Sequence, residues 1–91
     1  MKNKKVYVVI EAFTTKEINK CRKFIKSPYF NKNDIIIHLF NFIVSEIKLE
    51  EPRDLEDNEI WNKLEPTKTF NSVRLRKYFS DLLKLIERFI A

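Results

Sequence analysis

The sequence has no glycine, one cysteine and one histidine among its 91 residues. Without glycine, the chain has neither glycine-rich phosphate-binding loops nor the tight type I′ or II′ β-hairpin turns that are built on glycine. Cys21 has no partner for an internal disulfide, and His38 is the only histidine, so Cys/His zinc sets and His-based triads have no second member. No apolar run approaches the roughly 18 residues of a membrane-spanning helix. These absences argue against all-β, nucleotide-loop, zinc-binding and membrane-spanning classes.

Apolar and charged residues are abundant, at 44% and 34% of the chain. This composition predicts one folded domain over residues 1–91, with a core of modest size. The charge is unevenly distributed: residues 1–33 carry a net +7, residues 34–65 a net −6 and residues 66–91 a net +4. No signal peptide is evident, and a single cysteine gives no argument for secretion, so we expect a cytoplasmic protein.

Helical spacing of apolar residues predicts an irregular all-α bundle of four or five helices. We expect them at about residues 6–13, 15–26, 34–49, 56–64 and 72–90. Thr14 and Glu17 have the spacing of a capping box, and Asn71 is placed to cap the last helix. Residues 35–49 carry one narrow polar stripe and should form the central, most buried helix. The β-branched run VYVVI leaves helix and strand open for the first element.

The stretch KSPYFNKND, residues 26–34, is interpreted as a corner between two helices. Pro28 ends one helix, because the residue before a proline is disfavoured in the α region. Asn31 or Asn33, with Asp34, can cap the next helix. In this interpretation Tyr29 and Phe30 fill the gap between the helices, and Phe30 is largely inaccessible. The alternative is a surface recognition loop, in which both rings are exposed.

The basic face of the last helix is the best functional candidate: Arg74, Arg76, Lys77, Lys84 and Arg88. Such a face is usually a solvated surface, and the acidic middle of the chain is available to pair with it. It also suits contact with a polyanion or a protein partner. No catalytic, metal or cofactor site is expected. Cys21 falls on an apolar helix face and His38 on the polar stripe of the central helix. The clustered acidic residues lie in a loop and in an exposed first helical turn, where solvation and capping explain them.

The strings FIKSPYFNKND, EIWNKLEP and FNSVRLRKYFSDLLKLIERFI together resemble the N-terminal module of a group of uncharacterised bacterial helical proteins. This resemblance runs from Thr14 onward and implies a helical module that is often followed by a longer, repeat-like helical region. It implies no established activity. More weakly, EIWNKLEP followed by VRLRKYFSDLLKLIE is similar to winged-helix transcription activators, although a wing would need a β-hairpin after this helix.

The leading hypothesis is therefore a non-catalytic helical interaction or scaffold module, not an enzyme. Its partner would be another protein or the rest of a longer chain, with self-association left open and no membrane contact expected. The alternative is a helix-turn-helix-like nucleic-acid-binding domain that uses the basic face of the last helix.

Overall fold

Five α-helices are present in the computed structural model, which describes residues 1–51 and 53–91. They are α1 (Lys5–Glu11), α2 (Thr15–Lys26), α3 (Asp34–Ile47), α4 (Asp57–Leu64) and α5 (Ser72–Ile90). The described residues contain no strand, so the all-α prediction is confirmed and VYVVI is helical. Four of the approximate boundaries differ by one or two residues: α1 begins at Lys5 and ends at Glu11, α3 ends at Ile47, and α4 begins at Asp57.

The helix starts follow the local chemistry of the sequence. The Thr14 hydroxyl accepts from the backbone N–H of Glu17 at 3.1 Å, and the Glu17 carboxylate accepts from the N–H of Thr14 at 2.9 Å. These hydrogen bonds hold the pKa of Glu17 below its ordinary value. Asn71 caps α5 by accepting from the N–H of Arg74 at 3.0 Å. Both caps were predicted from the sequence, because short polar side chains satisfy the free N–H groups of a first turn.

Helix α3 lies at the centre of the bundle and contacts each of the other four helices. Its side chains Leu39, Phe40 and Ile43 are fully buried. The apolar seam of α5 packs inward as predicted, with Leu75, Phe79, Leu82 and Ile86 buried and Phe89 half-buried. The radius of gyration is 12.6 Å, close to the value of about 12 Å expected for a compact chain of this length.

Glu46 is the one charged side chain buried among the described residues, and the sequence analysis missed it. It lies near the C-terminal end of α3, three residues after Ile43 on the apolar side of the helix. Arg53 supplies its partner, donating from Nε at 3.2 Å and from Nη2 at 2.9 Å to the two carboxylate oxygens. This fork satisfies both oxygens, as a buried carboxylate requires.

The N-terminal residues bind the connection between α3 and α4 through charged contacts. The ammonium group of Met1 donates to Asp54 Oδ1 at 2.8 Å and to the Leu55 carbonyl at 2.9 Å. This ammonium group holds the pKa of the Asp54 carboxyl below its ordinary value. A further ion pair joins Lys4 Nζ to Asp57 Oδ1 at 3.6 Å. Within the described residues, no helix is both long and apolar enough to cross a membrane.

Candidate binding groove at the helix corner

The corner between α2 and α3 is held by hydrogen bonds that centre on Asn31. The Ser27 carbonyl accepts from the N–H groups of Phe30 and Asn31, at 3.1 and 3.0 Å. The Asn31 side-chain amide donates to the carbonyls of Ile25 and Asn33, while its oxygen accepts from the N–H of Asn33. Asn33 in turn caps α3 by accepting from the N–H of Ile35 at 3.2 Å. Asn31 is thus satisfied on both sides, which fixes the shape of the turn.

Tyr29 and Phe30 do not share one environment. Phe30 is half-buried and stacks on Phe24, with 4.2 Å between the ring centroids. Tyr29 is 87% exposed and meets the Phe30 ring edge-on, with 4.9 Å between the ring centroids. The prediction that both rings fill the interhelical gap is therefore wrong for Tyr29. Phe30 fills that gap, although it is less buried than expected, and Pro28 beside it is exposed.

An aromatic row continues from the corner into the bundle. The Phe24 ring lies 5.7 Å from that of Phe89 on α5, and Phe89 lies 6.1 Å from Phe13. The guanidinium of Arg88 sits over the Phe30 ring, 5.3 Å from its centroid. Offset and edge-on rings at these distances attract each other, and a cation over a ring face adds to this attraction. The corner is therefore attached to α5 by packing rather than by ion pairs.

The predicted basic residues of α5 are all exposed: Arg74, Arg76, Lys77, Lys84 and Arg88. Among the described residues, none of the five forms an ion pair with the acidic cluster, which we define as Glu50, Glu51, Asp54, Glu56, Asp57 and Glu59. Lys77 instead contacts Asp81 of its own helix at 3.1 Å.

These five cations do not form one continuous surface. Lys77, Lys84 and Arg88 fall on a single line of α5, but Arg76 is rotated about 100° from Lys77. Arg74 and Arg88 are separated by about 21 Å along the helix axis. The basic face therefore divides into an N-terminal group around Arg74 and a C-terminal pair, Lys84 and Arg88.

The C-terminal pair and the corner line the same open groove, of about 350 Å³. We call it the corner groove. Asn31 and Asn33 line it from the corner, Ile36 from α3, and Asp81, Lys84, Leu85 and Arg88 from α5. Ile36 and Leu85 are buried and provide an apolar floor, whereas Lys84 and Arg88 are exposed. Two sets of residues that were singled out separately in the sequence are thus brought together.

The remaining candidates occupy ordinary structural positions. Cys21 is buried as predicted, and burial raises the pKa of its thiol to about 12, so the thiol stays protonated near neutral pH. His38 is exposed on α3. Within residues 1–51 and 53–91, no group of three or more His, Cys, Asp or Glu side chains is placed to hold a metal ion.

Comparisons of the chain with protein-family models, with curated proteins and with solved structures found no significant match. The resemblance to bacterial helical modules therefore stays a prediction. The candidate site is therefore defined by the positions of its own residues.

Proposed function

We propose that the protein is a non-catalytic helical interaction module that binds a segment of a protein partner in the corner groove. The observation that carries the proposal is the convergence of Asn31 and Asn33 with Lys84 and Arg88 around one opening. Residues from α3 and α5 build this opening together with the corner, so it exists only in the folded bundle.

The chemistry of the groove suits a polypeptide. Ile36 and Leu85 offer apolar contact, and Lys84 and Arg88 offer charge-assisted hydrogen bonds to carboxylates. Asp81, which pairs with Lys77, lies on the same wall, so this wall does not offer the continuous row of free cations that a phosphate backbone binds. A protein segment that carries both acidic and apolar side chains suits this lining, and it belongs either to another protein or to a longer form of this chain.

The groove is also preorganised. The hydrogen bonds of Asn31 fix the corner, and the contact of Arg88 with Phe30 restricts a long side chain before any partner arrives. Because ordering flexible groups opposes association, a wall that is already ordered favours binding. The exposed ring of Tyr29 lies beside this wall and offers a further aromatic contact.

Site-specific photocrosslinking tests the proposal directly. A photoreactive phenylalanine analogue replaces Tyr29 in one variant and Val73 in a control, and each variant is irradiated in cells of the source organism. Val73 is 66% exposed on α5 and is separated from Arg88 by about 22 Å along the axis.

We expect a discrete protein adduct from the Tyr29 position and none from Val73. An adduct from Val73 alone would place the binding surface at the other end of α5. The absence of a protein adduct at either position would contradict the proposal.

The second candidate is nucleic-acid binding by the N-terminal part of α5. It is favoured by the exposure of Arg74, Arg76 and Lys77 in the first two turns, where recognition helices place base-contacting residues. However, seven residues separate α4 from α5, whereas a helix-turn-helix usually joins its helices with a turn of about three or four.

Fluorescence polarisation with a labelled 20-base-pair duplex tests this alternative. If these three cations contact phosphates, the affinity should fall about fortyfold between 50 and 200 mM salt. Arg74→Ala should make the affinity less dependent on salt, while Lys16→Ala on α2 should change the salt dependence less. No binding even at the lower salt concentration would eliminate the alternative.

A further inference from the structure

We infer that a second copy of this chain is a partner for the corner groove, and that it docks through the acidic residues that follow its α3. The inference rests on the proposed function, because it uses the same groove. It names the occupant as the exposed segment Leu49, Glu50 and Glu51 of a neighbouring molecule.

The two surfaces lie at opposite ends of one helix. The corner leads into α3 at Asp34, and Leu49 lies two residues after Ile47, the last residue of α3. A helix of 14 residues is about 21 Å long. The groove and the acidic segment of one molecule therefore lie near opposite ends of α3, about 21 Å apart along the helix axis.

Some carboxylates of the acidic cluster form ion pairs within their own chain, and others do not. Asp54 binds the Met1 ammonium and Asp57 lies beside Lys4, so both serve the fold of their own chain. Glu50 and Glu51 are exposed and form no ion pair with any residue that the structure describes. Within the part of the chain that the structure describes, these two carboxylates are therefore available to a second molecule.

The chemistry of this segment matches that of the groove. Leu49 is 40% exposed beside the two glutamates, which gives an apolar side chain next to two negative charges. The groove offers an apolar floor at Ile36 and Leu85 below the cations of Lys84 and Arg88. Apolar contact and charge pairing thus fall together in one short segment.

Docking of one end onto the other is a heterologous contact, so each bound copy still presents a free groove and a free acidic segment. Such contacts build chains or rings rather than only dimers. Because the charged groups are exposed, the association should be weak and should depend strongly on salt.

Analytical ultracentrifugation at protein concentrations up to about 1 mM tests the inference, in salt from about 10 mM to 300 mM. We expect the weight-average mass to rise with concentration at the lower salt and to return toward 11.1 kDa at the higher salt. Two charge-reversal proteins are compared, one with Lys84→Glu and Arg88→Glu and the other with Glu50→Lys and Glu51→Lys. Each alone should associate at least about tenfold more weakly than the wild type.

Mixing the two charge-reversal proteins provides the decisive arm. One retains an intact acidic segment and the other an intact groove, and their two reversed surfaces are also opposite in charge, so the mixture should regain the association that each protein alone has lost. Circular dichroism of each variant checks that it is folded. A wild type that stays monomeric at low salt, or a mixture that forms no complex, would overturn the inference.

The outcome also separates this inference from the proposed function. Crosslinks from Tyr29 to a different protein, together with a monomeric wild type, would refute self-association and leave the interaction module standing. A crosslinked product of twice the chain mass would support the inference.

Discussion

The two ends of α3 are stabilised by different physical means. At its N-terminal end, the stacked rings of Phe24 and Phe30 and the side-chain hydrogen bonds of Asn31 hold the corner against α2 and α5. At its C-terminal end, ion pairs hold the chain: Arg53 on buried Glu46, and the Met1 ammonium on Asp54. The first end depends on packing, and the second on ionised carboxylates.

This difference explains the distribution of free charge. Acidic residues at the C-terminal end are partly used by the fold, so they do not cover the basic face of α5. The corner needs no carboxylate for its stability, and Lys84 and Arg88 therefore remain exposed beside it. The end of α3 that is held by packing is the one that we propose binds a partner.

The largest expected effect comes from breaking the packed end. Phe24→Ala removes the partly buried ring that links Phe30 to Phe89, and the lost packing should lower the free energy of unfolding by about 2–3 kcal/mol. Chemical denaturation measures the change. Phe24→Leu is the matched control and should lose less than half as much; an equal loss in both would show that the ring stacking contributes little.

The next effect concerns the charged end. Arg53→Ala leaves the Glu46 carboxylate buried without its partner, which should cost about 1–2 kcal/mol. The value is below that of a fully buried pair because Arg53 is 54% exposed. Arg74→Ala, which removes an exposed arginine of α5, should change stability by less than about 0.5 kcal/mol. Similar losses in both variants would contradict the assigned role of Arg53.

The charged end should also be the one that acid weakens. The pKa of Asp54 is lowered in the folded state by the Met1 ammonium, so its stabilising contribution is present above the ordinary aspartate value, about 3.9. It is lost as the pH falls from there through the lower folded-state pKa. Thermal unfolding from pH 6 to pH 2 should show a shallower acid decline in Asp54→Asn than in the wild type. The same acid decline in both proteins would mean that the contact between Met1 and Asp54 does not contribute to stability.

The smallest effect is expected at the exposed ring of the corner. Tyr29→Ala should change the free energy of unfolding by less than about 0.5 kcal/mol, because the ring is 87% exposed. Phe30→Ala, its neighbour, should cost about 1–2 kcal/mol through lost packing on Phe24. Equal effects at the two positions would contradict the division of roles within the corner.

Sequence reasoning recovered the five helices because their signals are local. Capping at Thr14 and Asn71 and the apolar seam of α5 depend on residues within a few turns. It placed Tyr29 wrongly, since adjacent aromatic residues in a turn point in different directions and only the fold decides which one meets a neighbour.

Glu46 and Arg53 show a second limit. The helical position of Glu46, on the side of Ile43 and Leu39, was a readable sign that a charge would be buried. Its partner lies in a connection whose path depends on tertiary contacts, so no spacing rule identifies Arg53. The corner groove is likewise beyond the sequence, because it joins residues of the corner and of α5 that are about fifty positions apart.

The most direct test of the central claim combines the photoreactive analogue at Tyr29 with charge reversal on α5. Lys84→Glu with Arg88→Glu alters the corner groove, and Arg74→Glu with Arg76→Glu alters the other end of the helix as the matched control. The claim predicts that the protein adduct disappears only in the first pair, while both proteins remain folded. An adduct that persists without Lys84 and Arg88, or that disappears equally in the control, would contradict it.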